Sequence, residues 1–182
     1  MAGRVFAVVG PSGAGKDTLI AVAQAARPGL HVVRRVITRL EETGGEPFEG
    51  VGEAEFATRA ARGDFCLHWQ AHGLSYGIPA SALDAIAQGR DVVFNGSRAM
   101  LVEAWDAFPN LTVILVTAPI HVLAERLAAR GRETTGDIAA RLARARYEVP
   151  PGIPVRVVEN GGALEVAVAA FLAALEPDRA AP

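Results

Sequence analysis

The chain has 182 residues, of which 51% are hydrophobic and 21% are charged, a balance typical of a folded globular protein. The length suits one domain with mobile appendages rather than two independent domains. The net charge of −2 argues against general nucleic-acid binding, which needs a concentrated basic surface. Because the arginines are clustered along the chain, small anionic ligands fit the charge pattern better.

The apolar stretches are too short for a membrane or an export function. The longest, residues 111–124, contains Pro119 and His121 and cannot span a bilayer. The run near the N-terminus has five residues and ends at a glycine, unlike an export signal. Cys66 is the only cysteine, which excludes an internal disulfide framework and favours a small buried residue. We therefore expect a cytoplasmic protein with neither membrane nor nucleic-acid partners.

The first motif of the chain has the form G-x-x-x-x-G-K and lies between an apolar run, residues 5–9, and a helical pattern. A glycine-rich turn from strand to helix points backbone N–H groups inward, and the helix adds its positive end, so the motif predicts a polyphosphate site. Lys16 is the only lysine in the chain and is predicted to reach the terminal phosphates. The predicted nucleotide-binding residues are Gly10, Pro11, Ser12, Gly13, Ala14, Gly15, Lys16, Asp17 and Thr18.

An acid follows this lysine, where the motif usually has the serine or threonine that binds Mg²⁺. One interpretation is that Asp17 holds Mg²⁺, directly or through water, while Thr18 contacts an inner phosphate. The other is that Asp17 only stabilises the positive end of the helix. Asp17 and Thr18 are therefore the candidate metal ligands.

The rest of the chain alternates between strand and helix patterns. Apolar periodicity with glycine or proline at the ends predicts helices at residues 17–26, 53–62, 79–89, 98–108, 119–131, 135–147 and 163–175. Apolar and β-branched runs predict strands at residues 5–9, 31–37, 65–71, 91–95, 111–117 and 155–159. Residues 38–52 are predicted to form a loop and residues 177–182 a disordered tail. The alternation predicts an α/β fold with a parallel sheet covered on both faces, and ligands at the carboxyl ends of the strands.

Five motifs in the same order resemble the guanylate-kinase branch of the P-loop kinases, over nearly the whole chain. They are the glycine-rich stretch, Ile37-Thr38-Arg39, Gly63-x-Phe65 followed by Gly73-x-x-Tyr76-Gly77, Arg126-Leu127-x-x-Arg130-Gly131 with Arg141-Leu142, and Asn160. The resemblance implies one kinase domain at residues 1–176. It also implies an acceptor-binding subdomain at about residues 35–90 and a lid at about 126–146, whose arginines close over ATP.

Departures from that branch argue against GMP as the acceptor. Leu67 stands where the branch has a glutamate that reads guanine, and residues 95–98 replace a second acid. Glu42 stands where the branch has an arginine that holds the nucleotide phosphate. An apolar side chain leaves the N–H donors of guanine unpaired, which costs several kcal/mol in a closed site.

The chain also resembles a narrower family, the ribose 1,5-bisphosphate phosphokinases of phosphonate breakdown. This resemblance rests on four motifs that occur together, namely GPSGAGKDT, R-x-I-T-R, H-G-L-x-Y-G and N-G-S-R. The resemblance implies transfer of a phosphoryl group from ATP to the 1-phosphate of ribose 1,5-bisphosphate, giving 5-phosphoribosyl 1-diphosphate (PRPP). An ionised phosphate is already a nucleophile, so the reaction needs no general base. Positioning and charge screening would supply the catalysis.

The resemblance and the arginine clusters together define the candidate site residues. The catalytic candidates are Lys16, Arg39, Arg130 and Arg141, and Arg126 and Asn160 join the glycine-rich stretch at the nucleotide. The acceptor candidates are Arg35, Thr38, Arg39, Tyr76, Asn95, Ser97 and Arg98. Arg35 and Arg98 are equally well interpreted as solvated surface residues or ion-pair partners. Asn95 and Ser97 either contact ribose hydroxyls or cap a helix at Arg98.

Two other functions fit parts of the pattern. A nucleoside monophosphate kinase with altered base preference would share the fold and the phosphate site. A guanylate-kinase-like module that binds protein partners without catalysis should lose the phosphate loop or the lid arginines, and this chain retains both.

Overall fold

The computed structural model describes residues 2–39, 47–129 and 148–177. The strands are β1 (Val5–Val9), β2 (His31–Val32), β3 (Val36–Ile37), β4 (Glu49–Gly50), β5 (Phe65–Ala71), β6 (Leu74–Pro79), β7 (Val92–Asn95), β8 (Leu111–Thr117) and β9 (Val155–Glu159). The α-helices are α1 (Lys16–Ala26), α2 (Glu53–Ala61), α3 (Ser81–Ala87), α4 (Leu101–Ala107), α5 (Ile120–Ala129) and α6 (Leu164–Ala174). A single 3-10 helix turn, Arg98–Met100, precedes α4. No helix among these residues is long and apolar enough to cross a membrane.

Five parallel strands form the central sheet in the order β2-β7-β1-β8-β9. In this register Val8 lies beside Asn95, and Val9 lies beside Leu115. The carboxyl ends of β1, β7 and β8 therefore meet at one edge of the sheet. Ligand sites in open α/β sheets lie at this edge.

Both faces of the central sheet are covered, as the uniformly apolar strands predict. Successive side chains of β1 point to opposite faces. Val5, Ala7 and Val9 enter a cluster that includes side chains of α4, whereas Phe6 and Val8 pack with α1 and α6. Burying each such large apolar side chain contributes about 1.5–3 kcal/mol, so the core holds the edge of the sheet rigidly.

A second sheet has four strands in the order β4-β3-β6-β5 and lies within the residues predicted to form the acceptor-binding subdomain. Strand β6 pairs antiparallel with both β3 and β5, and α2 covers one face through Phe56, which stacks on Phe65. On the opposite face Leu67 and Trp69 join the core cluster that also contains Phe94. We call this opposite face the inner face.

The structure confirms the α/β fold and differs from the predicted elements in four places. The short strand β4 lies within the predicted loop at 38–52, because it pairs with β3. The predicted strand at 31–37 is two strands, because the chain leaves the central sheet after Val33, whose N–H donates to Val93 O, and enters the second sheet at Val36. Residues 74–79 form strand β6, which was not predicted, so Pro79 ends a strand instead of opening a helix. The helix predicted at 98–108 begins as a 3-10 turn.

Candidate active site

The phosphate loop joins β1 to α1 as the motif predicts. Gly10, Gly13 and Gly15 have positive φ values of 147°, 86° and 87°, which glycine adopts most readily. The Nζ of Lys16 donates hydrogen bonds to Gly10 O at 3.0 Å and Pro11 O at 3.2 Å. The ammonium group therefore lies across the loop, next to the N-terminus of α1, where its charge adds to that of the helix dipole.

Asn160 fixes the shape of the phosphate loop from the end of β9. Its side chain is 4% exposed, and its Nδ2 donates to Ala14 O at 2.8 Å. Its backbone N–H donates to Thr117 O at 2.7 Å, so the residue is held at the carboxyl end of β8. The structure thus gives Asn160 a positioning contact with the loop, and its predicted contact with the nucleotide stays a prediction.

Gly15→Ala is expected to lower the free energy of unfolding by about 2 kcal/mol, or roughly 4–8 °C in Tm. A Cβ at this position would clash with Asn160 Nδ2, and the φ of 87° is strained for alanine. Thermal unfolding followed by circular dichroism measures the effect. Gly52→Ala is the matched control, because φ there is −74° and the site opens onto free space. Equal Tm changes for the two variants would contradict the expectation.

A cavity of about 390 Å³ adjoins the loop on the side of α5. Arg126 lines it, and its Nη1 donates to Gly13 O at 3.3 Å. Thr18 also faces the cavity, from the first turn of α1. The remaining lining residues are Gly13, Gly15, Ala129, Asn160, Gly162 and Leu164. Cationic, amide and apolar groups thus line one cavity next to the predicted phosphate site. A nucleotide-binding site needs such a combination of groups.

Asp17 and Asn95 connect the phosphate loop to the neighbouring strand. Asn95 is 8% exposed at the end of β7, and its Nδ2 donates to Asp17 Oδ1 at 2.6 Å. A carboxylate has about four lone-pair sites, so one amide hydrogen bond orients it without removing its capacity to bind a cation. The predicted contact of Asn95 with ribose stays a prediction, whereas the observed contact is with Asp17.

Arg35, Tyr76 and Trp69 form a stack on the inner face of the second sheet. The rings of Trp69 and Tyr76 are nearly parallel, at 10°, with centroids 5.3 Å apart. The guanidinium carbon of Arg35 lies 5.3 Å from the Tyr76 centroid. Arg35 is 8% exposed, so the interpretation of Arg35 as a solvated surface residue is wrong. A cation over an aromatic face is stabilised by the ring quadrupole, which fixes the position of this arginine.

Thr38 and Arg39 lie just after β3. The Thr38 Oγ1 accepts a hydrogen bond from Ser75 N–H at 2.8 Å and lines a cavity of about 620 Å³ under α2. The guanidinium carbon of Arg39 lies 4.5 Å from the ring centroid of Phe48, and its side chain is exposed. Thr38 and Trp69 line the same cavity, and the predicted contacts of Thr38 and Arg39 with the acceptor stay predictions.

The predicted cap at Ser97 is wrong. Ser97 precedes the 3-10 turn, but its side chain makes no capping hydrogen bond, and its Oγ is buried without a partner among the described residues. Arg98 opens the turn with an exposed side chain. Both residues follow β7 directly, so they lie at the same sheet edge as the phosphate loop.

Several predicted residues lie outside the part of the chain that the structure describes. They are the catalytic candidates Arg130 and Arg141, most of the predicted lid, Glu42, and the tail after residue 177. Cys66 is described. Burial raises the pKa of its thiol to about 11, and its Sγ lies 3.5 Å from Ile78 O. A thiol with that pKa is neutral at physiological pH, which argues against a nucleophilic role.

The fold and the loop define a P-loop kinase of the guanylate-kinase type. Guanylate kinase from Anaplasma phagocytophilum superposes with a TM-score of 0.69 over 96% of this chain and 85% of that chain, at 16% identity, which is a likeness of fold. No family model matches the chain.

Two curated relatives identify the family within that class. The chain is 51% identical over 174 residues to the bifunctional ribose 1,5-bisphosphokinase-thymidine phosphorylase of Cupriavidus necator, and it spans 29% of that protein. It is 47% identical over 180 residues to the ribose 1,5-bisphosphate phosphokinase PhnN of Ruegeria sp., covering 98% of this chain and 94% of the relative. The chain belongs to the ribose 1,5-bisphosphate phosphokinase family, whose members are enzymes. The non-catalytic module is therefore not supported.

Three features of the site were not predicted from the sequence. They are the Asn95–Asp17 hydrogen bond, the hydrogen bond from Asn160 to Ala14 O in the phosphate loop, and the position of Trp69 in the aromatic stack. The first two join residues 78 and 146 positions apart, so no local pattern signals them. For Trp69 a signal existed, because it lies two positions after Leu67 and therefore on the same face of a strand.

Proposed function

We propose that this chain transfers the terminal phosphoryl group of ATP to the 1-phosphate of ribose 1,5-bisphosphate. An oxygen of the 1-phosphate forms the new bond to phosphorus as the bond to ADP breaks, and the products are ADP and 5-phosphoribosyl 1-diphosphate. Membership of the family, at 47% identity over almost the full length of the Ruegeria relative, carries the proposal. The phosphate loop beside a cavity of nucleotide size supports it.

On the donor side, the loop N–H groups and Lys16 would hold the ATP phosphates. The ammonium group of Lys16 would exchange its hydrogen bonds to Gly10 O and Pro11 O for hydrogen bonds to phosphate oxygens. Arg126 lies at the border of the cavity and would add a second positive charge. Fixed positive groups stabilise the charge that develops as the phosphoryl group moves between two oxygens. Arg130 and Arg141 are proposed to join them from the lid.

We propose Asp17 as the residue that holds Mg²⁺, with Thr18 nearby. The described residues contain no cluster of three or more His, Cys, Asp or Glu that could bind a metal. A single carboxylate completed by phosphate oxygens and water is the usual setting for Mg²⁺ in kinases, so the residues present fit this ion. When bound, Mg²⁺ neutralises charge between the two approaching polyanions.

On the acceptor side, Arg35, Arg39 and Arg98 are proposed to bind the two phosphates of the sugar. Tyr76, Thr38, Asn95 and Ser97 complete the proposed set. Leu67 is 6% exposed inside the core cluster, so no carboxylate is present there to pair with guanine. Leaving the guanine donors unpaired disfavours GMP. We further propose residues 35–90 as the acceptor subdomain, 126–146 as the lid, and the cytoplasm as the location.

The expected substrate preference is tested by ADP release from MgATP with ribose 1,5-bisphosphate, GMP and AMP in parallel. We expect turnover with ribose 1,5-bisphosphate, and ³¹P NMR should show a new diphosphate on the sugar. The kcat/KM with GMP should be at least about 100-fold lower, since the unpaired donors cost several kcal/mol. Preferential turnover of GMP would contradict the proposal, and no turnover with any of the three would refute a kinase acting on these acceptors.

A further inference from the structure

Two polar atoms on the acceptor side are buried without a hydrogen-bond partner among the described residues. They are the indole Nε1 of Trp69 and the Oγ of Ser97. Trp69 is only 7% exposed. Buried polar groups in native proteins are nearly always paired, so an unpaired donor at such a position calls for an explanation, such as a ligand.

The indole of Trp69 is held in the aromatic stack on the inner face of the second sheet. The indole lies nearly parallel to the Tyr76 ring, which in turn lies under Arg35. Strand β5, which carries Trp69, packs against the 3-10 turn that follows Ser97. Trp69, on the inner face of the second sheet, and Ser97, in the segment after β7, therefore belong to parts of the chain that pack against each other.

Neither residue is explained by a purely structural role. Ser97 makes no capping hydrogen bond to the turn that follows it. Phenylalanine or leucine at position 69 would fill the apolar cluster without burying an unpaired donor. Leaving these two groups without hydrogen bonds costs free energy. A ligand bound next to them would explain this cost, because it would supply the missing hydrogen-bond partners.

We propose that Trp69 is an acceptor-binding residue, whose Nε1–H donates to an oxygen of the ribose while the Ser97 hydroxyl bonds a second sugar oxygen. This inference rests on the proposed function. Neutral donors suit neutral sugar oxygens, whereas the charged phosphates are matched by guanidinium groups, which bind them in bidentate fashion. The pair therefore recognises the sugar, and the arginines recognise its phosphates.

The indole N–H resonances test this contact directly, because Trp69 and Trp105 are the only tryptophans. A Trp105→Phe variant leaves one indole crosspeak in a ¹H–¹⁵N spectrum, which assigns Trp69. Titration with ribose 5-phosphate should shift the Trp69 crosspeak downfield to a plateau, whereas inorganic phosphate should not. A crosspeak that stays in place while arginine Nε–H crosspeaks reach a plateau would overturn the proposal. An equal shift with inorganic phosphate would overturn the assignment to the sugar.

Steady-state kinetics separate this inference from the proposed function. Trp69→Phe retains an aromatic ring and removes the donor, so the KM for ribose 1,5-bisphosphate should rise about tenfold. The KM for ATP and kcat should stay within about twofold, and Trp105→Phe should match the wild type. If the wild type turns over the sugar and Trp69→Phe has an unchanged KM, only this inference fails. If the wild type does not turn it over, the proposed function fails as well. Should Trp69→Phe not fold, the NMR titration decides.

Discussion

Lys16→Met is expected to lower kcat by about 100- to 1000-fold, the usual loss when one preorganised donor to a transition-state charge is removed. Methionine has a similar length and no charge. It can neither bond to the loop carbonyls nor stabilise charge on the transferred phosphoryl group. The measurement is ADP release with MgATP and ribose 1,5-bisphosphate at saturation, followed by a check that the product is unchanged.

The control for Lys16→Met is Arg27→Met, which also removes a cation and lies at the far end of α1. Arg27 donates to Leu172 O at 3.2 Å, away from the loop, so its kcat should equal that of the wild type. Because Lys16 carries the only side-chain amine, an amine-specific reagent provides a second readout, and ATP should protect this one site. A Lys16→Met variant that retains more than a tenth of the wild-type kcat would refute the role of Lys16.

Asn95→Asp is expected to lower the free energy of unfolding at pH 7 by about 2–4 kcal/mol, as for two like charges in close contact near a protein surface. The wild-type amide donates to Asp17 Oδ1 at 2.6 Å, whereas a carboxylate in its place has no proton to donate. The variant replaces an attraction by a repulsion at the base of the phosphate loop. Thermal unfolding should show a fall in Tm of about 5–15 °C.

The pH dependence of Asn95→Asp follows from the same geometry. The nearby charge of Asp17 raises the pKa of the introduced carboxyl group in the folded variant above its unfolded value of about 3.9. Ionisation of such a group lowers the free energy of unfolding as pH rises through the folded pKa. The difference in unfolding free energy between the wild type and the variant should therefore shrink from pH 7 towards pH 4. Asn95→Ala, which removes the hydrogen bond and adds no charge, should show no such trend. A deficit in Asn95→Asp that stays constant with pH would contradict the contact.

The features that could be predicted from the sequence are those with local causes. The glycine spacing before Lys16 requires a strand-to-helix turn, and the apolar runs at β1 and β8 are continuous because both faces of the central sheet are covered. Family resemblance supplied what local pattern could not, namely an acceptor-binding subdomain at about residues 35–90, where the structure has the second sheet. Its role is still a proposal, although the sheet itself is present.

The features that could not be predicted depend on tertiary contacts. Apart from His31, the run at 31–37 is apolar and β-branched on both sides of two arginines, and it contains no glycine or proline that would mark the passage from one sheet to the other. Strand β6 contains a glycine and a proline, which normally argue against a strand, and it forms because β3 and β5 pair with it on both sides. Similarly, serine is a residue type that often caps helices, but the Ser97 side chain makes no capping hydrogen bond to the turn that follows it.

The hydrogen bond from Asn160 to Ala14 O bears on the order in which parts of the chain fold. The two residues are separated by 146 positions, and β9 pairs only with β8 in the central sheet. A nascent chain synthesised only as far as α5 contains the whole glycine-rich stretch but lacks the side chain that holds it. Contacts of such long range form late in folding because the chain between them must first be ordered. We therefore expect the phosphate loop to reach its final shape only after nearly all of the chain has been made, so incomplete chains should bind a nucleotide poorly.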